Sequence, residues 1–131
     1  MILVDTSAWV EYLRGTGSAE AICVRDLLDD DAPLACCDPI RMELLAGARD
    51  ERHVRILRQL LARARTLPTT AADYEVAAGY VRACRSRGIT VRRTLDCLVA
   101  AVAVAHDIPV LHRDRDFAAL ATVVPLNCHR L

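Results

Sequence analysis

The 131-residue chain carries 17 acidic and 17 basic side chains, a formal net charge of zero, and 53% hydrophobic residues. That content supports a core without disulfide or metal staples, and the balanced charge excludes a global pull toward nucleic acid, so any polyanion site must come from uneven placement. No positively charged leader precedes a long apolar segment, and "MILVD" is too short and too quickly acidic for a signal peptide or membrane span; the expectation is one cytoplasmic domain over residues 1–131.

The apolar run "ILV" closed by Asp5 predicts a strand feeding a helix from about Thr6 to Arg14, ended by Gly15. Ser18 reads as the cap of a second helix through "AEAICVRDLLDD". A short strand around "PLACC" leads into "DPIRMELLAGA", where Asp38 and Pro39 read as a cap and first-turn pair. Asp50 caps a further helix with an apolar stripe of Val54, Leu57, Leu60 and Leu61. "TLP" reads as a third short strand, and "TAADYEVAAGYVRACRSRG" as a long helix closed by Gly88. Thr94 reads as the cap of "LDCLVAAVAVAH", which is apolar on nearly every side and so predicts a buried central helix. "PVLH" is a strand, a short helix covers about Asp116 to Ala121, and "VVPL" reads as a final strand. Strands alternating with helices imply the α/β class, a three-layer α/β/α domain around a mostly parallel sheet of four or five strands.

The six cysteines, at positions 23, 36, 37, 84, 97 and 128, show no C-x-x-C spacing, so they read as reduced filler rather than a zinc ribbon or disulfide framework. All 17 basic residues are arginine. A phosphoacceptor receiver domain, which also places aspartates at strand ends, relies on a lysine and is disfavoured. His53, His106, His112 and His129 lack H-E-x-x-H spacing, and Ser7 lacks a G-x-S-x-G elbow. The Ser7 hydroxyl is instead expected to support Asp5 or a metal-bound water.

Ligand sites in open α/β sheets gather beyond the carboxyl ends of the strands. Asp5 closes the first strand, Asp114 follows "PVLH" after Arg113, and Asp96 sits in the first turn of the buried helix, where the dipole favours its ionised form. Glu43 borders an apolar face, with Ile40, Leu44 and Gly47 at helical spacing. Plainer roles stay open for each: Asp5 and Asp114 as caps, Asp96 serving the dipole, Glu43 paired with an arginine such as Arg41. If all four meet within about 5 Å, each pair repels by roughly 3 kcal/mol at an effective dielectric near 20. Several such pairs rival the stability of a small domain, and a divalent cation is the simplest neutraliser at neutral pH. All-oxygen ligation points to Mg²⁺ or Mn²⁺ rather than zinc.

The segments "VDTSAW", "PIRMELLAG", "TLDCLVAAVA" and "HRDRDF", in this order and approximate spacing, resemble the PIN-domain nucleases over essentially the whole chain, and especially the VapC-type toxins of VapBC toxin–antitoxin pairs. The resemblance implies a Mg²⁺-dependent endoribonuclease, with Mn²⁺ as a substitute, cutting structured RNA such as tRNA or ribosomal RNA. It carries the acidic set onto Asp5, Glu43, Asp96 and Asp114, with Asp116 as an additional or alternative acid; Ser7 is a further candidate beside them through its hydroxyl. Asp114 is preferred because it lies nearer the strand end, whereas Asp116 either faces solvent or makes a supporting hydrogen bond. Asp5, Asp96 and Asp114 are expected to hold the ion, directly or through water, and Glu43 to position or deprotonate the attacking water, leaving a 3′-hydroxyl and a 5′-phosphate. One ion or two stays open.

Arg14, Arg41, Arg92, Arg93, Arg113 and Arg115 flank the expected rim and are candidates for RNA contact. An aromatic content of 4% leaves little for base stacking, so recognition by RNA shape and backbone is expected, with Trp9 and Tyr12 in the core or against a partner. The resemblance further implies a cognate VapB antitoxin, a homodimer and no membrane. The alternative is a non-catalytic PIN-like module that binds metal or RNA.

Overall fold

A computed structural model describes residues 1–131. In chain order the elements are β1 (Ile2–Val4), α1 (Thr6–Arg14), α2 (Ala19–Asp29), β2 (Leu34–Cys37), α3 (Asp38–Ala46), α4 (Glu51–Leu61), β3 (Ala64–Leu67), α5 (Ala71–Ser86), α6 (Thr94–Ala105), β4 (Val110–Leu111) and α7 (Arg115–Ala121). The four strands form one parallel sheet in the order β3-β2-β1-β4. Strands this short are fixed by their surroundings: β2 is buried along its whole length, and helical connections on the sheet faces enforce parallel pairing.

The expected final strand "VVPL" does not form. The amides of Val123 and Val124 both turn back to the Leu120 carbonyl at 2.9 Å, and Pro125 has no N–H to offer a ladder. Pairing beside β4 is left to one parallel bridge, Val110 with Cys128. Two caps also differ from expectation. The N-cap of α3 is Cys37, with Asp38 and Pro39 already helical, because β2 runs into the helix without a loop. The N-cap of α6 is Arg93, and Thr94 is the first helical residue; no side chain caps this end. Asp5, Ser18, Asp50 and Thr70 do cap α1, α2, α4 and α5. Gly15 ends α1 with a left-handed φ of 62°, which lets its amide reach the Glu11 and Tyr12 carbonyls.

One hydrophobic cluster links the sheet to both helical layers, with Trp9, Phe117, Leu3, Ile40 and Leu61 fully enclosed. Every residue of α6 from Asp96 to Ala103 is buried, as its unbroken apolar pattern predicts, and α5 packs along it. All six cysteines are free thiols, and Cys36, Cys37, Cys84 and Cys97 are buried. No helix is long and apolar enough to cross a membrane.

The fold positions the rim through the central pair of strands. Val4 pairs with Leu111, and the Asp5 amide donates to the Leu111 carbonyl at 2.9 Å, so residues at opposite ends of the sequence leave the sheet side by side. The start of α6 and the face of α3 close over the same edge.

Candidate active site

Asp5 is 1% exposed, although it caps a helix. Its Oδ2 accepts from the Ser7 amide at 2.9 Å and from the Ser7 hydroxyl at 2.6 Å, and that hydroxyl accepts from the Arg113 amide at 2.9 Å. Ser7 thus ties the end of β1 to the segment after β4. Burial pushes the Asp5 carboxyl up; the Ser7 hydrogen bonds pull against it and nearby Glu43 adds to it, and the balance stays raised.

Asp96, in the first turn of α6, is also 1% exposed. Burial is the main cause that pushes it up to about 7; Arg93 opposes the rise, while Asp5, Asp114 and Asp116 reinforce it. Asp114 caps α7, its Oδ1 accepting from the Asp116 amide at 2.9 Å. Asp116 does not face solvent: it is 7% exposed, because the first turn of α7 folds its side chain back toward α6. Asp96, Asp114 and Asp116 each offer a carboxylate oxygen within 4.8 Å of one another.

Glu43 projects from α3, and its Oε1 accepts from the Thr6 hydroxyl at 2.9 Å. Its ionic partner is Arg93 at 3.0 Å rather than Arg41, whose guanidinium bonds the Thr66 hydroxyl at 3.2 Å across to β3. Arg93 also lies 3.1 Å from Asp96 and 3.7 Å from Asp114. Arg92 spans Asp114 at 3.1 Å and Asp116 at 3.2 Å. Two guanidiniums therefore offset the clustered carboxylates, yet both are about half exposed and can be displaced. Arg113 turns away to Glu20 at 2.7 Å and Glu11 at 3.3 Å. Arg14 and Arg115 are exposed, Arg14 in a cleft with Thr6 and Glu43 and Arg115 in one with Arg92 and Asp116.

Thr6, the bridging position of Arg93 and the environment of His112 escape sequence reasoning. The only available signal for Thr6 is its place next to a strand-terminal aspartate. His112 Nδ1 accepts from the Asp114 amide at 3.2 Å, and its ring lies on Phe117 with centroids 5.2 Å apart. Burial pulls the imidazole below its usual value against the upward influence of Asp5 and Asp114, which favours the neutral ring that an Nδ1 acceptor requires.

Asp5 and Glu43, expected at the same centre, are not part of the trio that Asp96 and Asp114 form, in which Asp116 stands instead. Two carboxylate oxygens, Asp96 Oδ2 within the trio and Asp5 Oδ1 outside it, are buried without a hydrogen-bond partner. Orphaned buried acceptors are costly, and a hard divalent cation satisfies such oxygens and offsets the mutual repulsion that adds to burial in raising the Asp96 pKa. The donor set present fits such an ion.

The model of the PIN domain matches residues 2–123. The chain belongs to the PIN-domain family. Within that family it falls with the VapC proteins: it is 47% identical over 129 residues to VapC ribonuclease Mb1587 of Mycobacterium bovis, covering 97% of this chain and 96% of the relative. Ribonuclease VapC11 of Mycobacterium tuberculosis matches to the same extent. Among solved structures, the PIN fold superposes on VapBC2 from Rickettsia felis bound to a promoter DNA fragment, with a TM-score of 0.77, 14% identity and coverage of 100% and 99% of the two chains. It also superposes on VapC20 of Mycobacterium tuberculosis, a sarcin–ricin-loop-cleaving toxin, with a TM-score of 0.70, 23% identity and coverage of 97% and 99%. The PIN assignment agrees with the parallel α/β sheet.

Proposed function

We propose that this PIN chain is the toxin of a VapBC-type pair, a cytoplasmic homodimer that cuts structured RNA, tRNA or ribosomal RNA, with a divalent cation and is silenced by a VapB-type antitoxin. The observation that carries the reading is the cluster of Asp96, Asp114 and Asp116, together with orphaned buried oxygens on Asp96 and Asp5, in a chain 47% identical to ribonucleases along nearly its whole length.

Asp5, Asp96 and Asp114 would hold Mg²⁺, or Mn²⁺ in its place, with Asp116 beside them. When bound, such an ion supplies Lewis-acid polarisation of the phosphodiester and a water acidified toward neutrality. The chain's own side chains do the rest. Ser7 locks the Asp5 carboxylate in one orientation through Oδ2, leaving the buried Oδ1 without a hydrogen-bond partner. Glu43, held by the Thr6 hydroxyl, is the acceptor for the proton of the attacking water and fixes the line of attack on phosphorus. Arg92 and Arg93 stand at the half-exposed mouth of the site, where a guanidinium released from the carboxylates meets the phosphoryl oxygens as negative charge builds on them.

A second reading, a non-catalytic module, draws on the fact that Asp5 and Asp114 already cap helices and that the other acids already have arginine partners. One experiment separates the two. Antitoxin-free protein incubated with bacterial total RNA should cut with Mg²⁺ or Mn²⁺ and stop with chelator. Asp96→Asn should lower the rate by about a hundredfold or more while keeping the native circular dichroism. Equal cutting by Asp96→Asn, or persistence of cutting in chelator, rejects the assignment.

A further inference from the structure

The arginines nearest the carboxylates are largely committed to them, which leaves open which cations hold the RNA backbone. A cleft of about 410 Å³ opens between α1 and the turn from α3 to α4, and its lining starts at Thr6 and Glu43 of the candidate active site. Its basic residues are Arg14, Arg49 and His53. Neither Arg14 nor Arg49 stands among the side chains paired with carboxylates, unlike Arg92, Arg93 and Arg113. Their charge is therefore available to a polyanion at no cost in broken ion pairs.

His53 is held ready by the backbone. Its Nδ1 accepts from the Arg49 amide at 3.1 Å and its own amide donates to Asp50 at 2.8 Å, so in the neutral ring Nε2 is the donor. Val10 and Leu44 supply an apolar floor. Gly47, in the same lining, has a right-handed backbone with φ of −81°, and a Cβ there would meet nothing closer than the Leu44 carbonyl at 3.5 Å. The fold does not demand glycine at this position, and the missing side chain keeps the wall of the cleft low.

We infer that this cleft is a phosphate subsite of the reaction: Arg14, Arg49 and His53 grip the RNA backbone to one side of the cleaved bond and lead the strand past Thr6 to the carboxylates. The inference rests on the ribonuclease reading and adds residues to it. Arg14 and Arg49 act as backbone contacts that position the strand without selecting a base sequence.

The test uses the full chain carrying Asp96→Asn, so that RNA stays intact, and measures filter binding of end-labelled bacterial total RNA at several salt concentrations. Adding Arg14→Gln with Arg49→Gln is expected to weaken binding about tenfold and to lower the slope of log affinity against log salt by about one to two, while Arg58→Gln on α4 leaves both in place. Gly47→Leu, which changes no charge, is expected to weaken binding by obstructing the cleft. In otherwise unaltered protein the paired arginine substitutions should raise KM for RNA with kcat held within about twofold. Unchanged affinity and salt slope in the paired variant overturn the subsite, as does a loss of antitoxin binding with RNA binding intact, which would make the cleft a protein site. RNA binding that depends on Arg14 and Arg49 in a chain that cuts nothing with Mg²⁺ or Mn²⁺ would sink the ribonuclease reading and the cleft's place in a reaction, and leave only the RNA-backbone contact.

Discussion

At the scale of single residues, the chemistry turns on Asp96 and Arg93. Because burial first, and then neighbouring carboxylates, lift the Asp96 pKa to about 7, the free site takes up a proton there as pH falls below that value. A cation must displace that proton. Mn²⁺ affinity measured by calorimetry should therefore weaken from pH 8 to pH 6, by up to about tenfold per pH unit below 7, and level off above it. A flat profile would show that Asp96 is not a ligand. Arg93 is the internal competitor, spreading one guanidinium over Glu43, Asp96 and Asp114. Arg93→Ala should tighten Mn²⁺ binding several-fold while impairing RNA turnover, and weaker Mn²⁺ binding would contradict the competition. The acids were readable in the sequence because each stands just past a strand or in the first turns of a helix. Their partners were not: Glu43 and Arg93 are 50 residues apart, and only the packed chain decides that Arg93 rather than Arg41 reaches the carboxylate.

At the scale of elements, hydrophobic period and capping chemistry located seven helices and four strands, and failed where backbone hydrogen bonding overrode them. "VVPL" has strand composition, but Leu120 captures its first amides and Pro125 lacks one. Thr94 resembles a cap, yet the chain enters α6 one residue earlier, at Arg93, which leaves that residue's side chain free to reach the carboxylates. The continuous apolar run of α6 gave the strongest signal, and its small residues set how closely neighbours approach. Ala100 has no exposed surface. Ala100→Leu should cost about 1–3 kcal/mol in urea unfolding through overpacking, with m unchanged. A neutral result would mean that the packing around α6 is looser than the structure shows.

At the scale of the whole molecule, the site exists because β1 and β4 are neighbours in a β3-β2-β1-β4 sheet, an order that alternation of strands and helices suggests as a class but does not specify. An ion shared by Asp5, Asp96 and Asp114 would clamp β1, α6 and α7 together. Mn²⁺ at about a hundred times its dissociation constant should add about 2.7 kcal/mol of stability, visible as a rise in Tm. Asp5→Asn should abolish most of that rise, and an undiminished rise would place the ion elsewhere.

The carboxylates span positions 5 to 116, and the docking of α7 through Phe117 and Leu120 brings in the last of them. A chain whose last helix has not docked therefore lacks part of its acidic set, and the edge is completed only once that helix is seated against α6.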